Sequence, residues 1–335
     1  MLSLSHSGNH WAAVLAGGNG SRLERLTRYI SGDNRPKQFC PIVGGRTLLD
    51  QTRCRLSSLF SAGRTMFLLN REHHKFYSQE LHDVDGDGLL IQPTNRGTAA
   101  AIALAVVKTS RRDEDGVMGI FPSDHYYSDD HAFARTVRLG LTVAEECPGF
   151  VILIGARARY PETDYGWIET GAELGSGTRL FEVRGFHEKP RFQQARRLWR
   201  QGELWNTFVM IGRARAFLEL LRATVPSLVD GVERAVDSGD LAAAYADLQP
   251  VDFSRAVLAA QSRNSLVLCD GESGWTDVGT PERVVETLIR DGLETPRASG
   301  KHKSPRRRAR GETQVRRRAG NPVETSCAVF GAETA

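Results

Sequence analysis

Trp11-Ala12-Ala13-Val14-Leu15-Ala16-Gly17-Gly18-Asn19-Gly20-Ser21-Arg22 decides how this 335-residue chain is read. Trp11 to Ala16 is an apolar run of strand length that enters the turn Gly17-Gly18-Asn19-Gly20 with no spacer. Glycines let backbone N–H groups approach a phosphate chain with no Cβ in the way. Arg22, just beyond, can neutralise outer phosphates. The spacing is not the dinucleotide fingerprint, because Leu23 stands where its third glycine belongs. Nor is it a Walker loop, since no Gly-Lys-Ser/Thr follows. On these residues alone, a phosphate cradle and a plain glycine turn closing a strand both remain open.

Outward from this stretch, strand-length apolar segments alternate with helical spacing. Thr65–Leu69, Leu89–Gln92, Val117–Phe121 and Phe150–Ile154 read as strands. Leu48, Leu49, Thr52, Leu56, Leu59 and Phe60 recur as a helix face, Thr98 to Val107 reads as a buried helix, and Phe133, Val137, Leu141 and Ala144 mark another. This alternation predicts an α/β fold with a Rossmann-like, mixed but mostly parallel sheet flanked by helices. Ligands of such sheets bind beyond the carboxyl ends of the strands, where the glycine loop and Ser123-Asp124-His125 both fall. Further on, Tyr165–Thr170 and Leu180–Phe186 read as strands and Arg213–Thr224 as a helix. Thr280-Pro281 opens a last helix whose apolar face is Val284, Val285, Leu288 and Ile289. One domain over residues 1–295 is expected, with a nucleotide-binding half over about 10–155 and a second half over 156–295.

Residues 296–335 read as a basic, low-complexity, disordered tail. Residues 297–335 hold ten Lys or Arg against three Glu, which leaves 34 basic and 37 acidic residues over 1–296 out of totals of 44 and 40. The net charge of +4 thus belongs to the tail. Arg306-Arg307-Arg308 and Arg316-Arg317-Arg318 carry no interleaved aromatic residue, so only nonspecific, salt-sensitive contact with polyanions is expected there, and no specific nucleic acid. No apolar run reaches the ~18–20 residues of a membrane span, and a cytoplasmic protein is the expectation. The five cysteines lack Cys-x-x-Cys spacing, which argues against a disulfide framework or zinc site; Cys40 reads as a buried, inert thiol.

Lys37, fifteen residues after Arg22, lies in Arg35-Pro36-Lys37-Gln38-Phe39. A lysine held behind a proline has a fixed approach and can bring a second cation to a triphosphate, although a solvated lysine would look the same. Together, Leu15-Ala16-Gly17-Gly18-x-Gly20-x-Arg22 and Pro36-Lys37-Gln38-Phe39 resemble the signature of the mannose-1-phosphate guanylyltransferases, among the sugar-nucleotide pyrophosphorylases. More matches follow in order: Gln92-Pro93-x-x-Arg96-Gly97-Thr98-Ala99, Pro122-Ser123-Asp124-His125, Pro161-Glu162-Thr163-Asp164-Tyr165-Gly166-Trp167-Ile168-Glu169, Phe186-His187-Glu188-Lys189-Pro190, Trp205-Asn206, and Gly274-Trp275-Thr276-Asp277-Val278-Gly279.

The resemblance implies a nucleotide-diphospho-sugar transferase fold of the GT-A type and a reaction of GTP with mannose 1-phosphate. It implies that Leu15, Ala16, Gly17, Gly18, Gly20, Ser21, Gln92, Pro93, Arg96 and Thr98 bind the nucleotide. Gly166, Glu169, Lys189, Asn206 and Asp252 would bind the sugar phosphate. Arg22, Lys37 and Lys189 would be the catalytic cations. Asp124 and Asp277 would hold Mg²⁺, which prefers oxygen and takes few protein ligands when phosphates supply the rest; His125 would only support them, since magnesium disfavours imidazole. A sugar 1-phosphate, with a second pKa near ~6, is already a nucleophile and needs no general base.

The pattern is departed from in places. Glu24-Arg25 replaces Trp-Pro, Gly97 replaces Asn, Asp164 replaces Gly, and Trp205-Asn206-Thr207-Phe208-Val209 replaces Trp-Asn-Ser-Gly-Met. The usual continuation into a β-helical or isomerase segment is replaced by the basic tail, so no isomerase activity and a monomer or homodimer are expected. The same chemistry on another sugar or base, and a silent homologue that only binds sugar nucleotides, are the alternatives.

Overall fold

Segments of four to ten residues, most of them largely buried and rich in Val, Ile and Leu, form nine strands in the computed structural model, which describes residues 10–296. They are β1 (Trp11–Leu15), β2 (Thr65–Asn70), β3 (Leu89–Gln92), β4 (Val117–Pro122), β5 (Val151–Arg157), β6 (Gly166–Glu173), β7 (Leu180–Glu188), β8 (Leu204–Arg213) and β9 (Ser265–Asp270). One sheet contains all nine, in the order β3-β2-β1-β4-β8-β5-β9-β7-β6, with a further pairing of β6 to β8. The expected tail lies outside the described residues.

The sheet is mixed and flanked by helices, as expected, and its parallel character is concentrated in the first half. β3, β2, β1 and β4 run parallel, as do β5 and β9; the other five of the nine pairings are antiparallel. The expectation of a mostly parallel sheet therefore needs correcting beyond β4. The reason is β8, which inserts antiparallel between β4 and β5 and carries the second half of the chain into the middle of the first. β8 and β9 were not foreseen as strands. Polar Asn206 and Thr207 break the apolar pattern of β8, and β9 is a single short run buried throughout.

Each face of the sheet has its own core. One packs the helix Gly97–Arg112 against β1, β4 and β8, and Ala99 to Val107 on it are at most 8% exposed. Its run of alanines lets the helix axis come close to the strands. The other face carries the helices Leu48–Ser57 and Asp130–Glu146. Their N-termini are capped as side-chain oxygens of Thr47 and Asp129 accept from the amides of Asp50 and Ala132.

A third, smaller core gathers Leu23, Ile30, Val278, Val284 and Leu288. It docks the helix Pro281–Arg290, which Thr280 caps with Pro281 at the first position. The expected apolar face of this helix is half right: Val284 and Leu288 are buried, whereas Val285 and Ile289 are 52% and 76% exposed. Among the described residues no helix is long and apolar enough to cross a membrane.

Candidate active site

The carboxyl ends of β1, β3 and β4 open onto a cleft of about 600 Å³, within the range of small-molecule sites. The turn after β1 is held from behind. Gln38 Nε2 donates to the carbonyls of Ala16 (3.0 Å) and Gly18 (2.8 Å), and Asn70 Nδ2 donates to that of Gly17 (2.6 Å). Ser123 Oγ donates to the Leu15 carbonyl at 2.7 Å. Leu15, Gly17 and Gly18 line the cleft, Ala16 is fully buried, and Gly20 and Ser21 line a separate pocket with Arg35 and Pro36. Gly20 has φ +60°, and a Cβ there would stand 3.0 Å from the Lys37 backbone nitrogen. Glycine at this position is what lets the loop lie against Pro36-Lys37.

Lys37, 7% exposed, does not face open solvent. Its ammonium donates to the Asp277 carbonyl at 2.7 Å and pairs with Asp124 Oδ2 at 3.2 Å. Three motifs far apart in sequence therefore meet at one nitrogen. Two of the three N–H donors of this ammonium are thus engaged, beside the cleft that Asp124 and Asp277 line. Burial pushes the Asp124 carboxyl up, but Lys37 and His125 together bring it below the usual carboxylate range. The side chain of Asp124 is 31% exposed, toward the cleft it lines.

Asp277 is held more tightly. Arg283 Nη1 donates to both its carboxylate oxygens at 2.9 Å, and Tyr165 Oη and the Gly279 amide add bonds to Oδ1 at 2.7 and 3.0 Å. Burial again pushes this carboxyl up, and Lys37 with Arg283 brings it below its ordinary value. Arg283 also donates to Glu162 Oε2 at 2.7 Å and lies over the Tyr165 ring at 4.5 Å. His125 accepts from Trp275 Nε1 at 3.1 Å, and burial lowers its pKa, so the ring is a neutral support beside Asp124.

The second half supplies the opposite wall. Gly166, Lys189, Asn206 and Asp252 all line the cleft. A Cβ on Gly166 would come within 2.9 Å of Glu188 Oε2, so only glycine leaves this approach open. Burial, reinforced by Asp252, pushes the Glu188 carboxyl up while Lys189 opposes it; Lys189 Nζ is 3.7 Å from Glu188 Oε1. Glu188 escaped the sequence reading although it sits in the quoted Glu188-Lys189-Pro190. On the side of the glycine loop, Arg22 lines the cleft and donates to Asp164 Oδ2 at 3.0 Å. The glycine-to-aspartate departure at 164 thus supplies a partner for the loop arginine.

Some expected residues are not brought in. Glu169 pairs with His187 at 3.0 Å, away from the cleft, because side chains alternate along β6 and Gly166 takes the cleft-facing parity. Glu169, expected as a sugar ligand, is therefore not among the residues lining the cleft. Arg96 turns to the carbonyls of Tyr245 (2.8 Å) and Ala246 (3.0 Å), at the end of the helix Leu241–Asp247, and anchors that helix rather than facing the cleft. Pro93 leads from β3 into the loop without lining the cleft. Gln92 and Thr98 do line it; the Thr98 hydroxyl accepts from the Phe253 amide at 2.8 Å. Gly97 has φ +80°, and a Cβ there would overlap the Val251 carbonyl, so no side chain fits at this position. Segment 250–252 packs where that side chain would go.

A family model described as nucleotidyl transferase matches residues 11–290. The chain is 31% identical over 288 residues to the xanthan biosynthesis protein XanB of Xanthomonas campestris, covering 83% of this chain and 59% of that protein. It is 30% identical over 289 residues to the mannose-1-phosphate guanylyltransferase of Escherichia coli K12, covering 81% and 58%. The chain thus spans about three fifths of the length of these relatives. Among solved structures, one titled mannose-1-phosphate geranyltransferase, from Thermus thermophilus, superposes with a TM-score of 0.73 at 32% identity, over 83% of this chain and 79% of that one. A UDP-glucose pyrophosphorylase at 15% identity and TM-score 0.53 shares the fold.

Proposed function

The chain belongs to the nucleotidyl transferase family, and from that premise we propose that it transfers a guanylyl group from GTP to mannose 1-phosphate, giving GDP-mannose and pyrophosphate. The observation that carries this reading is the convergence on one cleft of the glycine loop with Arg22, the Asp124 and Asp277 carboxylates, and Lys189 with Asn206. The name of the Escherichia coli relative, mannose-1-phosphate guanylyltransferase, supports the choice of guanine and mannose.

In this reading, the loop and Arg22 hold the triphosphate, and Gln92 and Thr98 border the base. Lys189, Asn206, Asp252 and Gly166 hold the sugar phosphate, with Glu188 added to that set. An oxygen of the sugar phosphate forms the new bond to the α-phosphorus, and the bond from that phosphorus to pyrophosphate breaks in line. The acceptor is largely dianionic at neutral pH, given a second pKa of ~6, so no residue has to remove a proton. The protein's contribution is positioning and charge.

The donor set fits Mg²⁺. Asp124 opens to the cleft, and Asp277 Oδ2 has Arg283 as its one hydrogen-bond partner among the described residues, so both offer hard carboxylate oxygen. Bound there, Mg²⁺ would supply charge neutralisation at the phosphates. Lys37 would keep Asp124 ionised and oriented. Incubation with Mg²⁺ and each pairing of nucleoside triphosphate with sugar 1-phosphate tests the proposal. Pyrophosphate is expected to form fastest from GTP with mannose 1-phosphate, and none from that pair would overturn it.

A further inference from the structure

Four non-glycine residues among those described have left-handed backbone: Arg179, Lys189, Phe208 and Val278. Phe208, with φ +61°, lines the cleft. A bulky aromatic residue is rarely found in this region, because its Cβ crowds the neighbouring carbonyl. Such outliers persist where the surroundings over-determine them, and they collect at functional sites.

Here the surroundings can be named. β8 pairs with β5 through Asn206↔Gly155 and again through Met210↔Leu153, with a register shift between them. Three residues of β8 therefore stand against the single Ile154. Thr207 pins the inner side of this bulge: its hydroxyl donates to the Ile154 carbonyl at 2.7 Å and accepts from the Val209 amide at 3.2 Å. Asn206 Oδ1 accepts from the Phe208 amide at 3.0 Å. Phe208 is thereby the crest of the bulge, and its half-buried ring rests on the core beneath the cleft. It stands two residues from Asn206 on the acceptor side and two before Met210, which pairs with Ile120 near the end of β4. The ring is an apolar floor where the acceptor half meets the nucleotide half.

We propose that Phe208 is a specificity-determining residue of the acceptor half, admitting hexose 1-phosphates without a bulky polar substituent and excluding those that carry an acetamido group. The inference rests on the transfer reaction proposed above. An aromatic face accepts the C–H face of a pyranose. It offers no partner to an amide, which loses its water on entry and gains nothing back. The bulge pins the backbone at Phe208, which fixes the point from which the ring enters the cleft.

The test compares mannose 1-phosphate with 2-acetamido-2-deoxyglucose 1-phosphate, on wild type, Phe208→Ala, Phe208→Gly and Phe208→Leu. Turnover (kcat/KM) and calorimetric Kd are measured for each. Ala removes the ring alone, Gly removes the ring and the backbone strain, and Leu keeps apolar volume if the smaller variants unfold. The discrimination between the two acceptors should fall about tenfold or more in both Ala and Gly, a shift typical of a reshaped pocket. It should fall less in Leu, with KM for GTP little changed in all three. An unchanged ratio in cooperatively folded variants, a change confined to Gly, or a matching shift in KM for GTP would overturn the proposal. If wild type turns over neither acceptor, the guanylyl-transfer reading fails, and the Kd ratios still decide the role of Phe208.

Discussion

Arg283 Nη1 lies 2.9 Å from both carboxylate oxygens of Asp277, with the two side chains 8% and 12% exposed. Removing one partner of a buried pair leaves the other charge without compensation, at a cost of about 3–5 kcal/mol. Arg283→Met should therefore lower unfolding stability by that order in urea titration. Arg283→Lys should recover only part of it, because a lysine lacks the planar fork that also reaches Glu162. A loss below ~1 kcal/mol in the Met variant would show that Asp277 finds other partners.

Glu188 and Asp124 predict opposite pH dependences. The folded state raises the Glu188 carboxyl above its ordinary value, so the unfolded chain releases that proton first. Stability from this group falls as pH rises from the unfolded value of about 4.3 toward the folded one. Glu188→Gln should make the protein more stable at pH 7 while weakening use of the sugar phosphate. Asp124 is lowered, so its contribution is full above the unfolded value of about 3.9 and is lost as pH falls through the folded one. Asp124→Asn should flatten the urea-midpoint profile below about pH 4. A destabilised Glu188→Gln at pH 7 would contradict the first account, and an unchanged acid limb the second.

Arg22 and Asp164 are 54% and 45% exposed, so their bond at 3.0 Å adds less than ~1 kcal/mol to stability. Its consequence lies in binding, since triphosphate must compete with Asp164 for the arginine. Asp164→Asn should tighten GTP binding several-fold in calorimetry with little change in melting temperature. Weaker binding would mean that Asp164 orients Arg22 rather than holding it back. Arg22→Ala should cut kcat/KM by about 100-fold or more, if this cation stabilises the transferring phosphate.

Most of the cleft was legible because its residues sit at strand ends with polar or glycine chemistry that the neighbouring pattern does not require. Gly17, Gly18, Asp124, Lys189 and Asn206 were readable in that way. The placement of Glu169 was not legible because a motif gives residue order but not strand parity; Gly166 takes the cleft face of β6, and Glu169 meets His187. The placement of Arg96 was not legible because its partners, the carbonyls of Tyr245 and Ala246, are 149 and 150 residues away and have no side-chain signature. The antiparallel insertion of β8 was invisible for a similar reason, since strand order is a property of long-range pairing. Glu169→Ala should accordingly leave KM for the sugar phosphate within about twofold, and a rise of about tenfold or more would restore its sequence-based role.

The central claim is that one cleft joins a triphosphate's α-phosphoryl group to a sugar phosphate. It is tested most directly by incubating the protein with GTP labelled at the α-phosphorus, unlabelled mannose 1-phosphate and Mg²⁺, and separating the nucleotides. Label is expected in GDP-mannose, with one pyrophosphate released per labelled product and none formed without the sugar phosphate. Label that stays in GTP, or leaves as GMP or GDP whether or not mannose 1-phosphate is present, would contradict it.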